Sequence, residues 1–216
     1  MKLGNTERNF FFNTHITNED KNRTKTLGAL QEIDKIYKNS PNNYLDYLKS
    51  LKMQVKIFTP SKHNHERTIQ LINKTNQFNL TKKSLNLKDL KVIEKDKNKF
   101  IYLISLRDNI TDYGIISILW GNTNDNLLSI ENWVMSCRVF NRYLDHVIIY
   151  YLFKKYKKIS TKIILNYKKS FKNKILEEIF ENLGSKKIKN KFVVYNKNFL
   201  SNKYKLFSLI DWINLM

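Results

Sequence analysis

The chain has 216 residues, 42% hydrophobic and 13% aromatic, which is enough to bury a core and excludes a disordered polypeptide. Its net charge of +20 would suit nucleic acid, but the lysines are spread along the whole chain, as in AT-rich genomes, and an acidic protein or a phosphorylated cofactor would fit equally well. The single cysteine, Cys137, excludes a disulfide framework and fits a cytoplasmic location, and no apolar run approaches the roughly 20 residues of a membrane span.

The N-terminal segment is polar and predicts one helix followed by a break. The helix covers Asn18–Tyr37, with Asn18 as its N-cap and acidic residues in its first turn. The stretch "NSPNN", residues 39–43, is the strongest break in the chain. We therefore predict a helical extension over residues 1–45 and one larger domain over residues 46–216.

Residues 46–216 alternate between strand-like and helix-like patterns. Gly184 suits a helix C-cap, because glycine adopts positive φ without penalty. The order predicts an α+β (mixed α/β) fold with a central mixed sheet flanked by helices. In chain order we predict a short helix near residue 47, a strand Met53–Phe58, a helix in His65–Gln77, a helix near residue 90, strands Phe100–Leu106, Tyr113–Gly121 and Leu127–Arg138, a helix Tyr143–Lys157, a strand Thr161–Tyr167, a helix ending at Gly184, and a strand near residue 193, with the C-terminal tail ambiguous.

The stretch "SCRVFNRYLDH", Ser136–His146, joins the third strand of the meander to a helix. It carries two arginines, Arg138 and Arg142. A helix N-terminus presents unpaired amides and a partial positive charge. Together these features predict a phosphate-binding loop.

Four motifs resemble the C-terminal domain of the FkbH-like proteins, a GNAT-like N-acyltransferase domain. They are "ITNEDKNRTKTL", "RTIQLINKTNQFNLT" from Arg67, "ENWVMSCRVFNR" from Glu131 and "FKNKILEEIFENLG" from Phe171. The similarity runs from about Asn9 to Asn196. FkbH-like proteins usually begin with a haloacid-dehalogenase (HAD)-like domain that carries an Asp-x-Asp motif, which this sequence lacks. Residues 1–45 then resemble the remnant of an interdomain linker.

The resemblance implies an acyltransferase that uses the thioester of acetyl-CoA, another acyl-CoA, or the phosphopantetheine arm of an acyl carrier protein. The acyl unit would be of glyceryl type and the acceptor a small molecule. The alternative is a non-catalytic GNAT-like module that docks an acyl carrier protein or a separate HAD-like partner. Neither possibility involves nucleic acid.

The resemblance also implies a cofactor site in the basic loop. Backbone amides of Val134–Ser136 would stabilise the oxyanion. Asn141 and Tyr143 occupy the positions at which the family has glycine. Asparagine tolerates positive φ, so Asn141 is expected to keep the loop geometry. The ring of Tyr143 would either block the diphosphate or lie at the start of the helix. The cofactor residues implied are Arg138, Val139, Asn141 and Arg142 for phosphate, and Asn173 for pantetheine.

The acceptor site is implied at the Asn-Gln-rich motif. Its candidate residues are Arg67, Gln70, Asn76, Gln77 and Asn79, with Asn76 and Gln77 as catalytic candidates. The alternative is structural: side-chain amides that cap the helix and tie down the following loop.

Two further residues near the loop have open roles. Cys137 would accept an acyl group as a thiolate, or it is a small core residue. His146, one helical turn after Arg142, faces the same loop or is a surface histidine. His63 and His65 have no third ligand nearby in sequence, so no metal site is predicted.

Overall fold

The computed structural model describes residues 41–124, 126–201 and 214–215. From Asp46 onward the described residues belong to one compact unit. The predicted helix Asn18–Tyr37 lies outside the described residues. The helical extension over residues 1–45 therefore stays a prediction.

The described residues contain six helices and nine strands in an alternating order. Short 3₁₀ turns cover Lys62–Asn64, Cys137–Val139 and Phe171–Asn173. The helices are α1 (Pro41–Ser50), α2 (His65–Lys74), α3 (Leu87–Lys95), α4 (Leu144–Lys155), α5 (Ile175–Asn182) and α6 (Asn196–Ser201). The strands are β1 (Gln54–Phe58), β2 (Phe78–Asn79), β3 (Lys99–Arg107), β4 (Asp112–Asn122), β5 (Leu128–Met135), β6 (Lys162–Asn166), β7 (Lys186–Ile188), β8 (Lys191–Tyr195) and β9 (Asn214–Leu215).

The strands form one mixed sheet in the order β7-β8-β6-β5-β4-β3-β1-β9. The central meander β3-β4-β5 is antiparallel, while β5 and β6 run parallel across the crossover through α4. The β7-β8 hairpin extends one edge, and β9 pairs in parallel with β1 at the other. This architecture confirms the predicted mixed sheet flanked by helices.

Both faces of the sheet are covered, which explains the nearly continuous apolar run of β3. Ile101 and Leu103 pack in a core cluster with buried leucines and isoleucines of α2 and α3. Tyr102 alternates with them, and its ring lies 5.6 Å from the ring of Tyr151 on α4. The central strands are thus held between α2 and α3 on one side and α4 on the other.

The largest differences from the predicted limits are at the end of one strand and at the start of one helix. The third meander strand ends at Met135 and not at Arg138, because Cys137–Val139 turn as a 3₁₀ helix. The helix before Gly184 begins only at Ile175, after another 3₁₀ turn. Gly184 has φ +71, which confirms its predicted place at the helix C-terminus.

The neighbouring strands β5 and β6 separate towards their C-terminal ends. They pair from Leu128–Ile163 to Ile130–Leu165 only. Beyond that point the short strand β2 takes the place of β6, with Phe78 opposite Met135. A segment from elsewhere in the chain therefore fills part of the gap between the two diverging strands.

Candidate active site

The loop between β5 and α4 has two residues in the left-handed backbone conformation that glycine usually adopts, although neither of them is glycine. Asn141 has φ 65 and Tyr143 has φ 57, both in the left-handed region. The prediction that Asn141 retains a glycine-like conformation is therefore confirmed. Tyr143 is the N-cap of α4 and provides no side-chain cap for it. The first-turn amides of α4 consequently lack a side-chain acceptor from the N-cap residue.

A cavity of about 270 Å³ lies beside this loop. Its walls come from the end of β5, the loop itself, the first turn of α4, and one side of α5. Phe78 of β2 closes the side towards the gap between β5 and β6. The described lining residues are Phe78, Met135, Val139, Phe140, Asn141, Tyr143, Asp145, His146, Ile175, Glu178, Ile179 and Asn182.

The polar side chains that line the cavity are a histidine, two carboxylates, a phenol and two asparagine amides. His146 Nδ1 is buried and lies 3.0 Å from Asp145 Oδ2, close enough for an ion pair but without hydrogen-bond geometry. Burial, and then the charge of Asp145, raise the pKa of the Tyr143 phenol, so it remains protonated at neutral pH. Glu178 is exposed on the α5 side. Among the described lining residues there is no lysine or arginine.

Arg142 does not belong to this site, and its predicted role in phosphate binding is corrected. Its guanidinium donates to Asp108 Oδ2 and to the hydroxyl of Tyr113, both at 2.9 Å. A third contact joins it to Met53 Sδ at 3.6 Å. Only 4% of Arg142 is exposed. The guanidinium of Arg142, which was predicted to bind phosphate, therefore forms an internal ion pair with Asp108.

Asn173 and Asn79 are also corrected, because both are buried and hydrogen-bonded within the chain. The Asn173 amide donates to the carbonyls of Asn79 and Lys168, at 2.9 and 3.0 Å, and accepts from the Ser170 amide. Asn79 donates to the Thr75 carbonyl and accepts from the Lys82 amide. The structural alternative for Asn79, a tie between helix end and loop, is therefore the observed one.

The backbone amides expected to form an oxyanion hole are occupied by neighbouring strands. Val134 and Met135 pair with β4 on one edge and with β2 on the other. The Ser136 amide donates to the Ile116 carbonyl at 2.8 Å. In this arrangement the end of β5 has no open edge for a bound thioester.

Of the other predicted site residues, Val139 and Asn141 line the cavity, and the rest are not among its described lining residues. Cys137 is exposed, which contradicts its reading as a core residue. Arg138 is half-buried and its Nε donates to Ser136 Oγ at 3.3 Å. The predicted acceptor residues Arg67, Gln70, Asn76 and Gln77 are exposed or half-buried, and Arg67 donates to Gln70 Oε1 at 2.6 Å. Their predicted roles stay predictions.

Sequence reasoning missed the cavity face of α5 and left open whether His146 faces the loop or the surface. The spacing of Ile175, Glu178, Ile179 and Asn182 marks one helical face, which was a usable signal. Its polar members argued against burial, however. His146 was one turn from the loop, but only the positions of α4 and α5 on two sides of one cavity show that it faces that cavity.

No protein-family model matches the sequence, and no curated protein matches it. Solved structures do match. The spermidine N-acetyltransferase from Vibrio cholerae, in complex with CoA and spermine, is 12% identical, covers 68% of this chain and 98% of its own, and has a TM-score of 0.51. FdhC, a nucleotide-linked sugar GNAT, is 13% identical, covers 72% and 94%, and has a TM-score of 0.52. This chain has the GNAT fold. At these identities the likeness establishes the fold alone.

Two further findings limit the chemistry in the described part of the chain. No group of three His, Cys, Asp or Glu side chains there is arranged to hold a metal ion. None of the helices in that part is both long and apolar enough to cross a membrane.

Proposed function

We propose that this chain is a GNAT-fold acyltransferase of the FkbH C-terminal type, which binds a thioester of CoA or of carrier-protein phosphopantetheine in the cavity between the loop and α5. The carrying observation is the position of that cavity, directly against the N-terminus of α4, where the N-cap residue Tyr143 provides no side-chain cap. The V. cholerae acetyltransferase, which shares the fold, was crystallised with CoA. In this proposal residues 1–45 are the remnant of an interdomain linker.

The size of the cavity supports an arm-shaped ligand. Small-molecule sites usually measure about 300–1,000 Å³. A volume of about 270 Å³ is therefore near the lower limit, suited to a pantetheine thioester but not to a complete CoA molecule. The remainder of the cofactor would lie outside, past the exposed Asn141. A glyceryl-type acyl group is small enough for the same space.

His146 is the residue best placed to manage the proton. The acceptor amine or hydroxyl attacks the thioester carbonyl, the carbon–sulfur bond breaks, and the acceptor proton passes through His146 to the departing thiolate. Asp145 Oδ2 lies 3.0 Å from His146 Nδ1, on the opposite side of the ring from the nitrogen that would carry the transferred proton. The α4 N-terminus supplies positive potential for a phosphate or for negative charge developing nearby.

The test combines binding with turnover. Purified protein should bind acetyl-CoA by calorimetry and exchange acyl groups with a loaded carrier protein. His146→Gln should lower the exchange rate at least tenfold and change thioester affinity less than threefold, because the imidazole acts on the proton. Absence of both binding and exchange in the wild-type protein would reject the proposal.

A second candidate function is a non-catalytic binding module. Two observations favour it: β2 occupies the edge of β5, and Arg142 is buried in an ion pair. Tyr143→Gly discriminates between the two candidates. A large gain in CoA affinity would show that the tyrosine ring obstructs an otherwise intact site, as expected for a degenerate module. An enzyme adapted to Tyr143 should show no such gain.

A further inference from the structure

A second cavity lies where β1 ends and β3 continues past it. Its volume is about 330 Å³, within the usual range of about 300–1,000 Å³ for small-molecule sites. Its walls come from the residues after β1, the end of α3, the start of β3 and the C-cap of α4. It shares no described lining residue with the cavity beside the loop. It lies level with the start of β5 and not with its end, since Phe100 pairs with Gly121 and Gly121 with Ile130.

The first four residues of β3, 99–102, extend beyond the end of β1. Strand β4 pairs with β3 from Lys99 to Arg107, whereas β1 reaches only as far as Leu103, opposite Phe58. Pro60 follows shortly after Phe58, and a proline cannot donate to a strand ladder. In the described part of the chain, no strand lies against the outer edge of residues 99–102.

The backbone of Ile101 faces this open edge. The Thr123 amide donates to the Asn98 carbonyl at 2.9 Å, so Asn98 faces β4. Alternate residues of an antiparallel strand face the same neighbour, and β3 pairs with β4 without a register shift until Ile104. Lys99 and Ile101 therefore direct their backbone groups away from β4, towards the second cavity that both residues line.

Three of these four backbone groups are open to a ligand. The Lys99 amide donates to the Asp96 carbonyl at 3.1 Å. The Lys99 carbonyl and the amide and carbonyl of Ile101 have no hydrogen-bond partner among residues 41–124 and 126–201. Backbone donors and acceptors inside a protein are nearly always paired. A ligand that carries a donor next to an acceptor would satisfy this edge.

Aromatic rings form one side of the second cavity. Phe100 and Tyr102 stack with ring centres 5.5 Å apart, and the ring centre of Tyr156 lies 5.6 Å from that of Phe100. The hydroxyls of Tyr102 and Tyr156 are 2.8 Å apart. Burial raises the pKa of both phenols, so both stay protonated. One O–H therefore donates to the other hydroxyl, and the second O–H is left to donate elsewhere.

We infer that the second cavity binds a planar nitrogen heterocycle with a donor beside an acceptor, such as the adenine of a nucleoside or nucleotide. The amino group of the ring donates to the Lys99 carbonyl, and the adjacent ring nitrogen accepts from the Ile101 amide. Side chains alternate between the two faces of a strand. A ring bonded to this edge therefore lies between the aromatic side chains on one face and Ile93 on the other. This inference goes beyond the proposed function and does not depend on it.

A peptide strand or a cation fits the same cavity less well. Strand addition pairs several consecutive residues, and here Ile101 alone offers both of its backbone groups. Glu94 Oε1 lies 2.8 Å from His65 Nε2, and Lys155 Nζ lies 5.0 Å from the centre of the Tyr102 ring. The carboxylate and the ring that would attract a cation thus already have partners within the chain.

Hydrogen exchange of the free protein tests the open edge. The amides of Phe100 and Tyr102, which face β4, should exchange slowly, and the Ile101 amide between them should exchange at least tenfold faster. Adenosine at millimolar concentration should slow the Ile101 amide and leave its two neighbours unchanged. An Ile101 amide that exchanges as slowly as its neighbours without ligand would show that it is already bonded, which would overturn the inference.

Two-dimensional NMR titrations with adenosine and with ATP test the ligand class. Signals of Thr59, Ile101 and Tyr156 should shift. Thr59 is exposed and lines the second cavity, so the ring in Thr59→Trp should block it and raise the Kd at least tenfold. Val92→Trp is the matched control, because Val92 is exposed on α3 and is not among the described lining residues. Its Kd should stay within twofold of the wild-type value.

The two probes also separate the sources of the heterocycle. Tighter binding of ATP than of adenosine would assign a nucleotide, whose phosphates meet Lys99, and equal binding would assign a nucleoside; both results support the inference. No shift with either probe, shifts confined to Asn141 and His146 beside the loop, or unchanged binding by Thr59→Trp would overturn it. Displacement of adenosine by spermidine or by an end-blocked Val-Thr-Val peptide would assign the cavity to a cation or a strand, which also overturns it.

Discussion

At the scale of single residues, Arg142 fixes the loop from below. It joins the loop to Asp108, in the turn between β3 and β4, and to Tyr113 on β4. Burial raises the pKa of the Tyr113 phenol, although Arg142 opposes that rise, so the hydroxyl stays neutral and accepts from the guanidinium. Held from beneath, the neighbouring Asn141 and Tyr143 keep their left-handed conformations.

Replacing Arg142 by Met should strongly destabilise the protein. Asp108, whose side chain is fully buried, would lose its charged partner, and removal of one member of a buried pair costs about 3–5 kcal/mol. Urea unfolding of both proteins measures the loss. The exposed Arg107→Met is the control and should change stability by less than about 0.5 kcal/mol. A loss below about 1 kcal/mol for Arg142→Met would contradict the role of Arg142 as an internal anchor of the loop.

The internal role of Arg142 could not be predicted from the sequence. Its partner Asp108 lies 34 residues earlier, in a turn between two strands. Carboxylates are common in such turns, so the sequence offered no reason to assign Asp108 a second role. Asp108 does serve that turn, since its Oδ1 accepts from the amides of Ile110 and Thr111. Nothing in the residue types shows that its second oxygen binds an arginine. By contrast, the positive φ of Asn141 was predicted, because the resemblance implies a glycine at this position and asparagine tolerates the left-handed conformation.

Glu177 predicts a pH dependence of stability. Hydrogen bonds from Lys187 and Lys169 lower the pKa of its carboxyl to about 2. The unfolded value is about 4.3. Because the folded pKa is the lower one, the contribution of this group is complete above about pH 4.3 and is lost as the pH falls towards 2.

Scanning calorimetry of wild type and Glu177→Gln between pH 7 and 2 measures that contribution. The difference in Tm should be constant down to about pH 5 and then shrink, and it should be small throughout because the ion pairs are at the surface. Glu181→Gln, an exposed carboxylate on the same helix, should show no comparable change. A Tm difference that does not vary with pH would show that the two lysines do not hold this carboxylate.

At the scale of elements, β2 and the residues after it form a bridge between diverging strands. The Leu80 amide donates to the Trp133 carbonyl at 3.2 Å, and the Leu80 carbonyl accepts from the Lys168 amide at 2.8 Å. Thr81 donates to the Glu131 carbonyl and to Asn132 Oδ1. Phe78 packs edge-on against Trp133, with ring centres 5.1 Å apart. The bridge sets the inner limit of the cavity.

Hydrogen exchange tests whether this bridge is stable. The Leu80 and Lys168 amides should exchange as slowly as those of β4, because each is bonded and the surrounding aromatic side chains are buried. They should stay protected when pantetheine is added, since the proposed arm stops at Phe78. Rapid exchange without ligand would refute the bridge, and exchange induced by pantetheine would show that the arm displaces β2.

Most elements could be predicted from the sequence, whereas β2 could not. The meander strands and α4 have long apolar patterns that burial on both faces requires. Strand β2 has only two residues, and its hydrogen-bonded neighbours lie about 50 positions away. The polar residues around it, including Asn79, resemble a binding loop by residue type. Their observed role is to satisfy buried backbone groups, which depends on tertiary contacts.

At the scale of the whole molecule, a GNAT fold carries a loop with two left-handed residues, Asn141 and Tyr143, and a cavity of about 270 Å³ beside it. The fold positions the cavity at the junction of β5 and α4. The ion pair with Asp108 makes the Arg142 guanidinium unavailable for phosphate. Pairing with β2 and β4 makes the end of β5 unavailable as the predicted oxyanion hole. What remains is a histidine-containing cavity at a helix N-terminus, which is the basis of the proposed function.

Two-dimensional NMR of the isotope-labelled protein titrated with pantetheine and then with acetyl-CoA tests the cavity most directly. Signals of Asn141, His146 and Asn182 should shift in the wild type. They should not shift in Ile179→Trp, whose ring fills the cavity, while Val92→Trp on the exposed side of α3 should respond as wild type does. Shifts confined to residues away from the cavity, or equal binding by Ile179→Trp, would contradict the account.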